Sequence, residues 1–425
     1  MTSQTESPVA DLESAVDAPV AADARQEDPS YGEIVWGQFR KRRLAMACLY
    51  GLVGLFLLAV YAPVLASNKP FIWQPAGEPV QFPWFISLFD RTFFENQVDL
   101  FFNTLLVFGT IIAIPVAVVF VRTRNRLRRP RRAARSRALV AGIGAFLLCF
   151  AAVQAFPVQK QKEVFPRIQA QLEAAGTEVR AVYPPLPYSF RDGDIDQIGQ
   201  PISRAHLLGT DNAGRDVLTR LLFGTRISLT IGVFAVALYI TLGTIIGSIA
   251  GYYGGRVDAL IQRIIEVVIC VPSLFLILTV AAFIENRSIF HIMVIIAAVA
   301  WTSPARLIRA EFLRLRNLDF VSAARAVGYR ERTIIFKEIL PNAIAPVLVA
   351  ATFGVARAIL IESTMSFLGL GDITVPSWGQ ILNTGRTTSD WVLILAPGFA
   401  IFVTVSLLNL VGEGFRDALD PKLRK

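Results

Sequence analysis

The chain has 425 residues, of which 54 % are hydrophobic and 18 % charged, with a net charge of +9 and a mean hydropathy of +0.51. Soluble domains are less apolar and carry roughly 25 % charged residues. The composition therefore excludes an ordinary soluble enzyme, a disulfide-stabilised scaffold and a disordered chain, and it indicates an all-α polytopic membrane protein.

The first 30 residues differ in charge from the rest of the chain. They carry seven acidic side chains and one basic one, so the remainder has a net charge of +15. Their composition, without helical apolar spacing, predicts a disordered acidic tail over 1–30. Basic charge in a membrane protein sets topology more often than it binds nucleic acid, so we expect no nucleic-acid partner.

Residue types that bind metals are scarce. Cys48, Cys149 and Cys270 lie far apart in apolar segments, which is typical of small buried side chains. The chain has two histidines, His206 and His291, which are too few for a His-rich site. We therefore expect neither disulfides nor a metal site.

Eight apolar segments are each predicted to cross a hydrocarbon core of ~30 Å as a helix with a rise of 1.5 Å per residue. They are 44–66, 100–121, 138–156, 227–249, 267–284, 289–304, 343–371 and 391–412. We expect Pro272 to kink the fifth segment. The sixth is short and is expected to continue to Ile308. The seventh contains two charged residues, Arg357 and Glu362.

Loop charge predicts the orientation of these spans. With both termini in the cytoplasm, the inside segments hold 27 Lys and Arg in 86 residues, and the outside segments hold 13 in 126. This asymmetry follows the positive-inside rule. The 122–137 loop carries nine arginines in 16 residues, which favours a role in topology, with contact to anionic lipid as the alternative.

The spans divide the chain into five regions. After the tail come an N-terminal anchor span (31–66), an outside loop with an inserted two-span hairpin (67–156), a periplasmic loop (157–226) and a five-span core (227–425). The periplasmic loop is predicted to end in an interfacial helix near 216–223. The core contains a cytosolic loop, 319–342, between two spans.

This cytosolic loop reads DFVSAARAVGYRERTIIFKEILPN. Its apolar spacing predicts two short amphipathic helices, with a break at Gly328, where glycine permits a positive φ. A short helix with small residues suits the groove of a soluble partner. The alternative is an ordinary solvated helical hairpin.

The loop resembles the EAA motif in the membrane subunit of ABC-type importers. The Ser322-Ala323-Ala324 triplet, Gly328 and the Leu340-Pro341 pair match its spacing, whereas Ser322 and Glu338 replace the family's Glu and Ile. The resemblance implies that this loop inserts into an ATPase subunit. The implied docking residues are Ser322, Ala323, Ala324, Gly328, Leu340 and Pro341.

A second resemblance covers about 202–425. The segment HLLGTDNAGRD, residues 206–216, looks like the signature of the C-type permease of dipeptide, oligopeptide and nickel importers. Five further segments follow in the same order as in that group: GTRISL at 224–229, GYYGG at 251–255, SFLGLG at 366–371, PSWG at 376–379 and RDALDP at 416–421. Residues 67–70 (SNKP) are similar to the subgroup for longer and microcin-type peptides.

The resemblance implies the transmembrane domain of a type I ABC importer, with a six-span family core and two inserted spans. It implies alternating access in the bacterial inner membrane. The implied partners are a second homologous permease, two ATPase subunits that bind ATP and Mg²⁺, a substrate-binding protein, a peptide substrate and membrane lipid. We find no P-loop, so ATP hydrolysis is assigned to another chain. The alternative substrate is nickel or another small solute, and the remote alternatives are an intramembrane enzyme or a channel.

Arg357 and Glu362 are the candidate residues of the translocation path. Charges within a span usually face the bundle interior or a water-filled path. Five residues apart on a helix, they lie about 140° apart and are not expected to pair. The alternative is that they brace the partner subunit.

Asp211, Arg215, Asp216 and Trp378 are candidate contacts for the binding protein, because they precede a span or lie in an outside loop. For the first three, the alternative is a turn held by its own Asp–Arg pairs. For Trp378, the alternative is a place in the interfacial aromatic belt.

Overall fold

The computed structural model describes residues 31–123, 129–155, 164–285 and 287–419, and most of them are helical. The predicted acidic tail and part of the Arg-rich loop lie outside the described residues. The elements in chain order are α1 (Tyr31–Lys41), α2 (Arg43–Leu65), β1 (Ile72–Pro75), α3 (Pro83–Ser87), α4 (Gln97–Thr104), α5 (Thr110–Thr123), α6 (Arg129–Ala155), α7 (Phe165–Ala174), β2 (Val179–Val182), α8 (Val217–Tyr253), α9 (Gly255–Cys270), α10 (Ser273–Ala282), α11 (Ile289–Ala300), α12 (Thr302–Leu315), α13 (Asp319–Ala326), α14 (Glu331–Thr333), α15 (Leu340–Ala343), α16 (Ala345–Phe367), α17 (Trp378–Thr388) and α18 (Trp391–Leu419).

The helices fit the predicted membrane crossings by length and composition. Six crossings are α2, the α4–α5 pair joined by a π turn, α6, α8, α16 and α18. Among the described residues, two bent helix pairs are also long and apolar enough: α9 with α10, bent by 79°, and α11 with α12, bent by 43°. Counting each bent pair as one crossing gives the eight predicted spans, and Pro272 lies at the sharper bend.

The predicted interfacial helix near 216–223 is wrong as a separate element. Helix α8 runs without a break for 37 residues from Val217, about 55 Å at 1.5 Å per residue, and so extends well beyond a hydrocarbon core. Gly224 lies within this helix and does not interrupt it. A Cβ at this position would lie 3.0 Å from the Trp378 ring, so the glycine allows the two to pack closely. Hydropathy marked the apolar part of the helix and missed its polar first turns.

Helix α8 is the centre of the bundle and packs against α2, α11, α12 and α16. Three glycines spaced four residues apart, Gly243, Gly247 and Gly251, face α12. A Cβ on Gly247 would lie 2.3 Å from the carbonyl oxygen of Ala305. Small residues at this spacing let two membrane helices approach closely, so the stripe fixes the distance between α8 and α12.

The inserted hairpin lies at the periphery. Its helices α5 and α6 pack on each other, and α4 packs on α2 and α8. None of the most apolar stretch of 18 residues in α6 is buried within the chain, whereas 44 % of the corresponding stretch in α8 is. The hairpin is therefore attached to the core mainly through α4.

The segments before the hairpin and after it meet in one small unit. Strands β1 and β2 pair antiparallel, with Trp73 opposite Ala181. Beside this sheet, Phe93 and Phe94 pack with Phe190. The regions 67–96 and 164–216, which the sequence analysis treated separately, thus form a joint structure.

Both ends of the described chain lie at the 319–342 end of the bundle. Phe39 of α1 packs against Phe415 of α18, and Val349 at the start of α16 belongs to the same cluster. Arg42 and Asp417 form an ion pair of 2.9 Å. The first and last helices of the described residues therefore meet on one side of the bundle.

Candidate functional site

Residues 319–342 fold as the two short helices that the sequence predicts. Helix α13 ends before Gly328, which has a φ of +86°, and α14 then continues through a π turn (Ile334–Ile339) into α15. Val321 and Ala324 are buried in a cluster with Phe312 of α12. One face of the segment is thus packed against the end of the bundle.

The opposite face of the segment is exposed. Of the predicted docking residues, Ser322, Ala323, Gly328 and Pro341 are exposed, while Ala324 is buried and Leu340 is half-buried. The last two therefore support the segment from below and do not form its outer surface. Four exposed apolar side chains of this segment were not predicted from the sequence: Val327 (74 % exposed), Phe336 (51 %), Tyr329 (49 %) and Phe320 (37 %). These side chains lie outside the helical spacing of the buried apolar residues, and this spacing could have indicated that they are exposed.

Polar contacts join this segment and α12 to the end of α8. The Tyr253 hydroxyl donates to Glu331 at 3.0 Å. Arg316 donates to the carbonyl oxygens of Gly251 and Tyr252 at 3.1 and 3.2 Å. These contacts connect 319–342 and the end of α12 to the end of the central helix.

At the other end of the bundle, Asp211 is the centre of a compact turn. It accepts hydrogen bonds from the backbone N–H groups of Ala213 and Arg215 at 2.9 and 3.0 Å, and from Arg215 Nε at 2.9 Å. Arg220 of α8 also donates to it. Burial acts to raise the pKa of Asp211, but the two guanidinium groups and the backbone donors outweigh it and hold the pKa below its usual range.

Asp216 joins this turn to α8. Its side chain accepts from the Thr219 N–H at 2.8 Å and so caps the helix. It also contacts His206 Nδ1 at 3.0 Å, while His206 Nε2 contacts Gln197 at 2.8 Å. The signature segment is therefore a cap and brace for the first turn of α8.

Three of the four predicted binding-protein contacts are buried, which corrects their assignment. Asp211 and Asp216 are at most 2 % exposed, and Arg215 is half-buried. Trp378 is 1 % exposed, and its Nε1 donates to the carbonyl oxygen of Leu221 at 3.1 Å. Trp378 thus packs α17 on α8, and the alternative of an interfacial belt does not describe it either.

Glu362 lies inside a cluster of serines. Its carboxylate accepts from Ser366 at 2.7 Å, Ser363 at 3.4 Å and Ser228 at 3.5 Å, and Ser377 also bonds to it. These hydroxyls come from α8, α16 and the residue before α17. Because Glu362 is 1 % exposed and does not line a described cavity, its assignment to the path does not fit this structure.

Arg357 has a different environment. It is exposed and lines a cavity of about 460 Å³ between α8, the two bent helix pairs and α16. Arg357 and Glu362 therefore do not pair, as predicted, and Arg306 lines the same cavity as Arg357.

A buried ion pair that was not predicted from the sequence joins α8 to α4. Arg226 of α8 is fully buried and donates to Asp99 of α4 at 3.0 Å and to the Ala59 carbonyl oxygen of α2 at 2.7 Å. Its guanidinium lies over the rings of Phe102 and Phe223. This residue ties the anchor span, the inserted hairpin and the core together.

The fold and these sites define a polytopic membrane protein with an exposed, supported helical segment at one end. Residues 243–425 match the family of binding-protein-dependent transport system inner membrane components, and residues 30–79 match the N-terminal transmembrane domain of oligopeptide transport permease C. The chain belongs to this family of ABC importer permeases, so it is a multi-pass inner membrane protein.

Individual permeases are also similar in sequence to this chain. The chain is 40 % identical over 250 residues to a dipeptide transport system permease of Alkalihalophilus pseudofirmus, covering 57 % of this chain and 82 % of the relative. An oligopeptide transport system permease of Haemophilus influenzae is 41 % identical, with coverages of 56 % and 78 %. A glutathione transport system permease of Pectobacterium atrosepticum is 39 % identical, with coverages of 56 % and 80 %. Each match leaves more than two fifths of this chain unmatched.

Proposed function

We propose that this chain is the permease subunit of a binding-protein-dependent importer of peptides. It would form half of the translocation path, with a second homologous permease forming the other half. Family membership and the transport of peptides by similar permeases support this proposal. Nickel or another small solute is the alternative cargo.

The single observation that supports the proposal most directly is that 319–342 has one buried face and one exposed face. One face is buried against α12, and the other presents small and apolar residues, among them Ala323 and Val327. An ATPase subunit would bind this exposed face. Glu331 of the segment bonds to Tyr253 of α8, and Arg316 joins the end of α12 to α8. Closure of the ATPase pair on ATP and Mg²⁺ would therefore move the central helix.

The proposed cycle has two states. A binding protein delivers peptide to the 206–216 end, which we place outside the cytoplasm, and both termini lie in the cytoplasm. ATP favours one state of the permease pair because the ATPase subunits bind the two states with different affinity. The chain itself would bind neither ATP nor Mg²⁺ and would catalyse no reaction.

The test is ATPase activity of the co-expressed complex in lipid, with binding protein and a panel of peptides and Ni²⁺. We expect peptides to stimulate hydrolysis in the wild type and Gly328→Asp to abolish the stimulation, because a side chain at φ +86° strains the segment. Gly77→Asp is the matched control, since Gly77 has a φ of +85° in the region of β1 and, like Gly328, open space around it.

The outcomes are distinct. Peptide stimulation lost in Gly328→Asp and kept in Gly77→Asp supports both the cargo class and the coupling segment. Stimulation by Ni²⁺ alone would show that the cargo is nickel and not a peptide. Failure of an ATPase to co-purify with the wild type would contradict the assignment of 319–342.

A further inference from the structure

The cavity that contains Arg357 lies where two membrane helices bend. Its wall includes Pro272, between α9 and α10, and Thr302 and Pro304, at the junction of α11 and α12. Interrupted membrane helices of this kind line the substrate sites of many transporters. The wall is otherwise mainly apolar, with Tyr239 of α8 and Phe353 of α16 among its aromatic side chains.

The charge of this wall is of one sign. Among the described residues that line the cavity, the charged ones are Arg306 and Arg357, and no acidic side chain lies among them. Neither arginine forms an ion pair within the described part of the chain. Arg357 is the thirteenth residue of the 23-residue helix α16, so it lies near the middle of a span, where an uncompensated charge is costly.

We propose that this cavity binds the C-terminal carboxylate of the transported peptide, with Arg357 as its main partner and Arg306 as a second cation. The inference rests on the proposed function and deepens it by naming the chemical group that is recognised. A guanidinium binds a carboxylate in a bidentate geometry. The α-carboxylate is present on every unmodified peptide, and the apolar wall accepts side chains of varied shape.

Two other kinds of anion are alternative partners for Arg357. A carboxylate of the second permease subunit would pair with Arg357 permanently, and an anionic lipid headgroup would neutralise it from the membrane. Both would stabilise the complex whatever peptide is transported. Only recognition of the peptide makes the effect of Arg357 depend on the terminus of the peptide.

The experiment measures uptake into proteoliposomes that contain the complete complex and ATP. The probes are one short alanine-rich peptide with a free C-terminal carboxylate and the same peptide as its C-terminal amide. Each is supplied on binding protein whose occupancy has been measured beforehand, so that differences in delivery are known. The variants are Arg357→Gln, Arg357→Lys and, as control, Arg263→Gln, since Arg263 is exposed, pairs with Glu266 at 2.6 Å and lies outside the cavity wall.

We expect Arg357→Gln to lower uptake of the acid roughly tenfold and of the amide less than twofold, because a hydrogen bond between charged groups is lost only for the acid. Arg357→Lys should retain more of the acid uptake, and Arg263→Gln should change neither. Equal loss for both peptides would overturn the inference in favour of a structural pairing, and no loss would overturn it outright. Wild-type complex that takes up neither peptide would instead refute the proposed function.

Discussion

Arg226 of α8 donates to Asp99 of α4 across 3.0 Å, although the two residues are 127 positions apart in the chain and both are fully buried. The same guanidinium reaches the carbonyl oxygens of α2 at Ala59 and Val60. One side chain thus holds the anchor span and the inserted hairpin on the permease core.

Breaking this pair should destabilise the protein strongly. Replacing Asp99 with Asn leaves a buried guanidinium without its counter-charge, which typically costs about 3–5 kcal/mol. We expect a clear fall in the midpoint temperature of unfolding in detergent. Glu266→Gln, which breaks an exposed pair with Arg263, is the control and should change little. An equal midpoint for the two variants would contradict the role of Arg226.

The glycine stripe on α8 should not tolerate a methyl group. In Gly247→Ala the new Cβ would lie 2.3 Å from the carbonyl oxygen of Ala305, so α8 and α12 must separate. Overpacking of this kind costs about 1–3 kcal/mol. Gly54→Ala in α2 has open space and should be neutral or slightly stabilising. Thermal unfolding of the two variants side by side checks the difference.

Glu362 should affect stability more than selectivity. Glu362→Gln keeps the size of the side chain but brings a donor amide among serine hydroxyls, so we expect a loss of about 1 kcal/mol in stability. The ratio of acid to amide peptide uptake should equal that of the wild type. A change in this ratio would return Glu362 to the translocation path.

The turn around Asp211 should open in acid. Its pKa lies below the ordinary value of 3.8, so its stabilising contribution is complete at neutral pH and is lost as the pH falls below about 4 through the pKa of the folded protein. Hydrogen exchange of the 206–216 region, followed from pH 7 to pH 3, should show protection that decreases only at the acid end. In Asp211→Asn the protection should be low throughout and change little with pH.

The exposed apolar residues of 319–342 should contribute to binding of the ATPase. Val327→Ser removes a side chain that is 74 % exposed, so the fold should not change while the affinity for the ATPase falls severalfold. Ile195→Ser is the matched control, since Ile195 is 84 % exposed at the 206–216 end. Quantitative co-purification compares the two, and equal recovery of ATPase would argue against a contact at Val327.

Some of this architecture was predictable from the sequence. The eight crossings follow from apolar length, and the break at Gly328 follows from the tolerance of glycine for positive φ. The pairing of Arg226 with Asp99 was not predictable, because hydropathy places each residue at the edge of a span and says nothing about which spans are neighbours.

Burial of individual polar and aromatic residues was also beyond the sequence. Trp378 has the composition context of an interfacial residue, and only the packing of α17 on α8 makes it a core residue. Arg357 and Glu362 are equivalent by hydropathy, whereas their positions about 140° apart place one on a cavity and the other among serines.

Helix α8 has a mechanical consequence. It is a continuous rod of about 55 Å, held at one end by Asp216 and Arg220 and at the other by Tyr253. A tilt of only about 5° displaces one tip relative to the other by about 5 Å, roughly one helical turn. Because the helix is continuous, a small rotation at one face of the membrane would produce a displacement of side-chain size at the other face.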